Sequence, residues 1–492
     1  MVSVSDLLRP GASVYFVGIK GTGVCALAEL MHSMGITASG SDTPEVFYTD
    51  AILKELGIPY HECFDPAHIG DDVDLVIHSA AYSEEANAEL AEARRKSIPI
   101  EKYPDALGMY SALFDSTGIT GVHGKTTTTA MCGCLIRSLG LPAQILVGSA
   151  VANFNGRSTL ALGNKYFIAE TCEYRSHFLA FYPKRIVLTA VESDHQDYFP
   201  TYESIRDAFV EYCRLIPPGG ELIYCADDPG AAEVASVIRQ DDRGITLIPY
   251  GFTADGDFRI SAYRVENDSA AFTINAFPDA IRLCVPGRHQ ALNATAAIAL
   301  ASVLLGKESP ASQGGWNDQR RLAVETALGQ FRGSKRRSEI IGNAGGIIFM
   351  DDYGHHPTAI KLTLEGLRDF FPTRRLVVSF MSHTYSRTAA LLDDFAQSLA
   401  VANVLFLHKI YASARENFGG NISGRSIYEK VTSLGNDKAD SVYYVDDPGD
   451  AFEPLAKILK PGDLFLTLGA GNNWPLGLRL YQHYLGLDGV AS

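Results

Sequence analysis

One stretch constrains this chain more than any other: Gly121-Val122-His123-Gly124-Lys125-Thr126-Thr127-Thr128-Thr129, which follows a short β-type run and opens a helical pattern. Glycines let a backbone approach an anion closely, and N–H groups at a helix start point at its oxygens. A lysine there reaches terminal phosphates, and the next hydroxyl suits Mg2+. The stretch therefore demands a strand, a glycine turn and a helix in immediate succession, with a nucleotide triphosphate at the turn. The general phosphate-loop pattern also wants a glycine five residues before Gly124, where Ile119 stands. Taken alone, the loop reads equally well as a glycine turn capping an ordinary helix.

At 492 residues the chain is too long for one core, and about three domains are expected. A net charge of -15 argues against a nucleic-acid partner, since phosphate backbones are held by clustered Lys and Arg. Anionic ligands must be captured locally, by loops and helix ends. No run approaches the roughly 18 consecutive apolar residues of a membrane span, and no basic segment precedes an apolar core at the N-terminus. A cytoplasmic protein with no membrane partner is expected. The eight cysteines form no spaced CxxC pairs, and Cys132 and Cys134 lie two apart on the helix after the loop, facing different ways. Free thiols are expected.

In chain order, Ser13 to Val17 reads as a buried strand entering Gly18-Ile19-Lys20-Gly21-Thr22-Gly23 and a helix from Val24 to Met34. This is the first unit of a Rossmann-like fold, although the glycine order is not GxGxxG. A second strand ends near Gly40-Ser41-Asp42, where the acid could take a ribose hydroxyl. A helix over 51–56, a strand over 74–78 and a helix opening at Ser79-Ala80-Ala81 are expected next. After the phosphate loop, Lys165 to Glu170 reads as a strand delivering Glu170, and the run from Ile186 to His195 as another. In a parallel sheet the carboxyl ends of strands line the ligand crevice, so Thr126, Glu170 and His195 can converge on a divalent ion.

Alternation between Gly251 and Leu283 predicts a small antiparallel sheet. Val285-Pro-Gly-Arg-His289-Gln290-Ala-Leu-Asn293 opens an alanine-rich helix, and the polar stretch 306–316 reads as a loop before one more helix. Lys335-Arg336-Arg337 would ordinarily be a solvated basic cluster. The strand Ile347 to Met350 runs into Asp351-Asp352-Tyr353-Gly354-His355-His356-Pro357, a string too unusual for an accidental turn. Leu376 to Met381 leads into Ser382-His383-Thr384-Tyr385-Ser386-Arg387, and Val404 to Leu407 and Asp463 to Leu468 complete another nucleotide-fold-like sheet.

The shorter loop form Thr117-Gly118-Ile119-Thr120-Gly121-x-x-Gly124-Lys125-Thr126 resembles the ATP loop of the Mur ligases and folylpolyglutamate synthases. The order of the other motifs resembles the Mur ligases over almost the whole chain. The resemblance implies an α/β protein of three domains. Residues 1–105 would be a Rossmann-like UDP-sugar domain. Residues 106–330 would be a P-loop ATP domain with a parallel sheet and a small antiparallel one, and residues 331–492 a Rossmann-like amino-acid domain. It places UDP-sugar contacts at Gly18, Gly21, Thr22, Gly23, Ser41, Asp42, Ser79, Glu173 and His177. ATP contacts fall at Gly121, His123, Gly124, Lys125, Thr126, Thr127, His289, Asn293, Arg337 and Asp352, with Arg336 the rival of Arg337. The metal ligands are Thr126, Glu170 and His195, for Mg2+ with Mn2+ as a substitute. Tyr353, His355 and Arg387 take the amino acid, and Lys125, His355 and Arg387 carry the chemistry. Lys20 stands where the family usually has glycine, which would tighten the pyrophosphate contact or distort the turn. Gln290 replaces an asparagine and Thr384 an arginine. Phe209 stands near a lysine that other branches use in carbamylated form.

The reaction implied is amide formation through carboxylate activation in peptidoglycan precursor synthesis. The lactyl carboxylate of UDP-N-acetylmuramate attacks the γ-phosphorus of ATP, and the amine of L-alanine displaces phosphate from the acyl phosphate. The partners are then these three small molecules, and the chain itself a monomer or weak homodimer. Two alternatives stand beside it: attachment of a ready-made murein tripeptide to the same sugar nucleotide, and a non-catalytic, nucleotide-gated UDP-sugar-binding protein. A folate ligase is disfavoured because the N-terminal nucleotide-type domain would have no ligand.

Overall fold

Short apolar runs, each followed by a turn and a helix, pair mainly in parallel here, because every return crossing passes through a helix. The computed structural model describes residues 7–195, 198–266, 269–308, 316–412, 421–435 and 441–486. The chain divides into two compact units. One comprises residues 1–191, 206–258 and 296–324, and the other residues 192–205, 259–295 and 325–492.

The first unit holds two sheets. The five-stranded sheet is parallel throughout, in the order Tyr60–His61, Thr37–Ser41, Ser13–Val17, Leu75–His78, Ile100–Lys102. Its first strand in sequence is central, so the chain winds outward on one side and then on the other. The switch falls at Gly18, at the carboxyl end of Ser13–Val17. Helix Thr22–Ser33 follows, buried from Val24 to Met31. The expected helix at Ser79 does not form. Residues 79–87 are irregular, and the helix is Ala88–Arg95, where the Asn87 side chain accepts the N–H groups of Glu89 and Leu90. Asn87 therefore caps the helix that Ser79 was expected to open.

The seven-stranded sheet runs Thr246–Tyr250, Glu221–Cys225, Arg185–Leu188, Asp115–Thr120, Tyr166–Glu170, Ala143–Leu146, Thr159–Ala161. Only the pair Ala143–Leu146 and Thr159–Ala161 is antiparallel. Asp115–Thr120 lies between Arg185–Leu188 and Tyr166–Glu170, with Ile119 opposite Glu170 and Thr120 opposite Leu188. The phosphate-type loop thus leaves the sheet at its switch point, and helix Lys125–Ser138 follows, buried from Thr126 to Ile136. At the opposite end of the same strands, the fully buried Arg185 pairs with Asp115 at 2.8 Å and Glu221 at 3.3 Å, and donates to Thr117 at 3.2 Å. Cys132 and Cys134 are buried free thiols on the loop helix. Phe209 is a core residue, its ring edge-on to Phe178.

The second unit holds the antiparallel sheet Ile260–Glu266, Ser269–Ile274, Phe277–Leu283, as the alternation predicted. Its six-stranded sheet runs Glu339–Ala344, Ile347–Asp352, Asp463–Leu468, Arg375–Phe380, Val404–Leu407, Ser441–Tyr444. All neighbours are parallel except the first pair. Phe349, Val377, Phe406 and Phe465 fill one face under Phe452, Leu476 and Leu480. Of the expected loop at 306–316, residues 309–315 lie outside the described residues. Helix Asp318–Gly329 follows as expected. Helix Arg288–Glu308 is long and apolar enough to cross a membrane by length and composition, yet 72% of its apolar window is buried, as in a core helix.

Arg185 pins the strands that carry the loop. Arg185→Met should lower stability by about 3 kcal/mol, because it removes the buried guanidinium from Asp115 and leaves Glu221 with Lys307 alone. Urea unfolding reads this, and a loss under about 1 kcal/mol would show the pair to be dispensable.

Candidate active site

The loop owes its shape to a contact no side chain could share. Gly121 has φ +132°, and a Cβ there would lie 2.2 Å from Thr189 Oγ1 and 2.7 Å from the Ala190 nitrogen. Thr189 donates to the Thr120 carbonyl at 3.0 Å and also contacts the His123 carbonyl, while Val122 N–H donates to Ala190. Gly124, with φ +81°, caps the helix. The loop is therefore strapped to the end of Arg185–Leu188, with Lys125 and Thr126 in the helix's first turn. Sequence reading missed Thr189, whose role depends on a neighbouring strand end.

Lys125 donates to the Gly121 carbonyl at 2.5 Å and forms an ion pair with Glu173 at 2.9 Å. Burial works against its ammonium, but Glu173 and Glu170 raise its pKa above the ordinary lysine value, so it stays charged. Thr126 Oγ1 donates to Glu170 Oε1 at 3.0 Å, and Glu170 Oε2 accepts the Gly148 N–H at 2.7 Å. A Cβ on Gly148 would strike that carboxylate at 2.5 Å, so this glycine sets the acid's position. A hydroxyl and a carboxylate are hard oxygen donors, and an octahedral Mg2+ with bonds of about 2.1 Å needs adjacent ligand oxygens about 3 Å apart. The Thr126–Glu170 pair fits that edge.

Glu173 leads into the 3-10 segment Tyr174–Ala180, inside which Arg175 and Ser176 are both left-handed, at φ +53° and +55°. His177 follows directly. Two consecutive left-handed residues with side chains cost energy, and such strain gathers where a side chain must be aimed.

At the N-terminal turn, Gly18 has φ +84°, and a Cβ there would meet the Tyr82 ring at 2.7 Å. A Cβ on Gly23 would meet Tyr103 at 2.8 Å. Gly18 N–H and Ile19 N–H donate to the Ser41 carbonyl, and Ser79 N–H to Val17, so the three predicted segments meet at adjacent strand ends. The Thr22 side chain hydrogen-bonds with Tyr48, just inside the helix capped by Gly21. Asp42 accepts the backbone N–H groups of Lys20 at 2.7 Å and Thr43 at 2.8 Å, and the Ser41 hydroxyl meets the buried Glu89.

Lys20 behaves differently from either expectation. Its side chain is fully buried and turns into a cage of Asp50 at 3.1 Å, Glu62 at 2.9 Å and the carbonyls of Thr43 and Glu45. It ties down the chain after Asp42, and its burial is compensated by these anions and carbonyls.

In the second unit, Asp352 accepts Ser338 N–H at 2.6 Å and Gly354 N–H at 2.7 Å. Arg336 is committed to Asp351 at 2.9 Å and the Gly469 carbonyl at 2.7 Å. Arg337 lies with its guanidinium 5.0 Å from the Tyr353 ring centre and is held by no carboxylate among the described residues. Of the two arginines, Arg336 is thus the one engaged by a carboxylate. His355 donates from Nδ1 to the Tyr353 carbonyl at 3.0 Å, which leaves the Nε2 lone pair free to accept. Burial, then the Arg387 and Arg337 charges, hold its pKa well below the usual histidine value, so the ring is neutral at pH 7.

Arg387 is buried and donates from Nε at 3.1 Å and Nη2 at 2.6 Å to Asp194 Oδ1. Burial opposes charge on Asp194, but Arg387, His195 and His355 hold its carboxyl well below the usual range. His195 itself is left-handed at φ +54°, with Asp194 Oδ1 accepting its N–H at 2.7 Å. Elsewhere in this unit Gln290 bridges His289 Nε2 at 3.1 Å and Asn293 at 3.2 Å, so the substituted amide joins the two predicted adenine contacts.

Comparisons with known proteins cover nearly the whole chain. Residues 13–115 match the Mur ligase family catalytic domain, 119–301 the Mur ligase middle domain, and 336–471 the glutamate ligase domain of Mur ligases. A UDP-N-acetylmuramate–L-alanine ligase of Treponema pallidum is 48% identical over 96% of this chain and 97% of its own. One of the same name from Borrelia garinii is 38% identical over 94% of this chain and 97% of its own. Among solved structures, the UDP-N-acetylmuramate–alanine ligase of Thermotoga maritima superposes with TM-score 0.72 at 25% identity, covering 96% of this chain and 99% of that one. A murein peptide ligase of Psychrobacter arcticus shares the fold, with TM-score 0.63 at 22% identity, covering 98% and 100%.

Gly121→Ala should fold and yet lose at least about tenfold in ATP affinity, because the added methyl pushes the loop off Thr189. Calorimetric titration with a non-hydrolysable ATP analogue measures this. Unchanged affinity would mean that the loop shape does not set phosphate binding.

Proposed function

Since the chain belongs to the Mur ligase family, we propose that it joins L-alanine to the lactyl carboxylate of UDP-N-acetylmuramate with conversion of ATP to ADP. The observation that carries this is the Lys125–Thr126–Glu170 constellation at the sheet's switch point, on a chain 48% identical over 96% of its length to a ligase of that name. Residues 1–105 bind the UDP-sugar, 106–330 the ATP and 331–492 the amino acid.

The carboxylate oxygen attacks the γ-phosphorus, the bond to the β-bridging oxygen breaks, and ADP leaves. Lys125 neutralises charge on the transferring phosphoryl group, and Arg337 adds a second cation. Thr126, Glu170 and His195 would hold Mg2+, which when bound supplies further charge neutralisation. Arg387 receives the α-carboxylate of L-alanine. The free amine then attacks the acyl carbon, phosphate departs, and the excess amine proton passes to Nε2 of neutral His355. A base so weakened relays the proton onward rather than keeping it. The protein works in the cytoplasm, as a monomer or weak homodimer.

A ligase for a ready-made tripeptide shares the loop and the fold. The named relatives above 30% identity favour the single amino acid, whereas the peptide ligase likeness at 22% speaks for the fold alone.

ADP release in the presence of UDP-N-acetylmuramate should depend on L-alanine and not on the tripeptide, and the reverse preference would sink the proposal. Lys125→Ala should lower ADP formation by about two orders of magnitude while UDP-N-acetylmuramate still binds. Normal turnover in that variant would remove the lysine from the mechanism.

A further inference from the structure

The pairing of Arg387 with Asp194 uses only part of the guanidinium. Both hydrogen bonds run to one oxygen, Oδ1, from Nε and Nη2, which together form one side edge of the fork. A guanidinium has five N–H donors. Those on Nη1 and the second on Nη2 make another bidentate edge, and among the described residues no second carboxylate meets Arg387. Both partners are fixed. Arg387 is 6% exposed on helix Tyr385–Ala390, and the turn before it is locked by Ser382 to Thr388 at 2.6 Å and by Thr384 at φ +67°. Asp194 is 3% exposed, in a segment anchored by Glu192, which accepts from Thr358 at 2.9 Å.

We infer that Asp194 is the positioning residue that presets Arg387, holding its side edge so that the α-carboxylate of the acceptor amino acid docks on the Nη1–Nη2 edge. This rests on the proposed ligase function, in which Arg387 receives that carboxylate. An anion already seated on the side edge closes off the competing bidentate mode, in which the carboxylate would bind well but present the amine from a displaced position. Asp194 therefore trades some binding strength for the placement of the nucleophile. In this role it touches neither substrate nor reacting atoms.

Loss of Asp194 should then show as tighter or equal binding with slower turnover, the signature of unproductive docking. It should do so only for an acceptor that carries a carboxylate. The test compares L-alanine with L-alaninamide as acceptors on the full-length enzyme, for wild type, Asp194→Ala and Asp194→Asn. In Asp194→Ala the ratio of kcat for L-alanine to kcat for L-alaninamide should fall at least fivefold, with KM for L-alanine unchanged or lower. Asp194→Asn keeps an oxygen that accepts both N–H groups, and its ratio should stay within twofold of wild type. Both acceptors are read on one preparation, so any loss of folded enzyme cancels in the ratio. A common loss for both acceptors, which damage to the fold or to the adjacent His195 would give, overturns the inference. A rise in KM for L-alanine, or an Asn variant as impaired as the Ala variant, also overturns it. Failure of the underlying proposal is separate: wild type would then show no L-alanine-dependent ADP release.

Discussion

Parallel strands deliver their carboxyl ends to one edge of a sheet, and the rest of this structure depends on what can fit at that edge. At the switch points of both sheets in the first unit, a glycine with positive φ lies against a residue beyond the end of a neighbouring strand, Gly18 under Tyr82 and Gly121 under Thr189. No side chain fits in either place. The backbone N–H groups of the turn and of the following helix are therefore presented together, and a phosphate is their natural partner. The carboxyl-terminal sheet uses its edge otherwise. Asp352, Leu468 and Phe380 end adjacent strands, and Gly469 N–H donates to the Asp352 carbonyl. The groups gathered there are side chains, which in the proposed reaction meet the amino acid.

This acidic protein holds its buried cations with acids. Lys20, Lys125, Arg185, Arg336 and Arg387 are each fixed by at least one carboxylate. Lys20 and Arg185 stabilise the frame. Lys125 and Arg387 are oriented by their acids, and in the proposed reaction each meets an anion of the substrates. Local strain gathers around the same residues. Of the nine left-handed non-glycine residues described, Arg175 and Ser176 lie between Glu173 and His177, Arg336 and Ser338 flank Arg337, Thr384 precedes Arg387, and one is His195.

Most of the architecture is legible in the chain, because short runs rich in apolar residues read directly as buried parallel strands. Helix starts are less so. Ser79 and Asn87 carry equal capping chemistry, and only the packing of Leu90 and Ala93 under Tyr15 and Val76 selects Asn87. Lys20 at a glycine turn invites a ligand role, and only the fold reveals acids at positions 50 and 62 waiting for it. That Arg336 pairs with Asp351 is likewise visible only in the fold. Asp194 and Arg387 are 193 residues apart, and no spacing rule joins such a pair.

In the proposed reaction, ATP activates a carboxylate by phosphorylating it. UDP-N-acetylmuramate labelled with oxygen-18 in both lactyl carboxylate oxygens tests it most directly, with the product phosphate analysed by mass. One labelled oxygen per inorganic phosphate, formed in step with the amide, is the predicted result. Phosphate without label while amide forms would contradict it, since the carboxylate oxygen would then have left by another route.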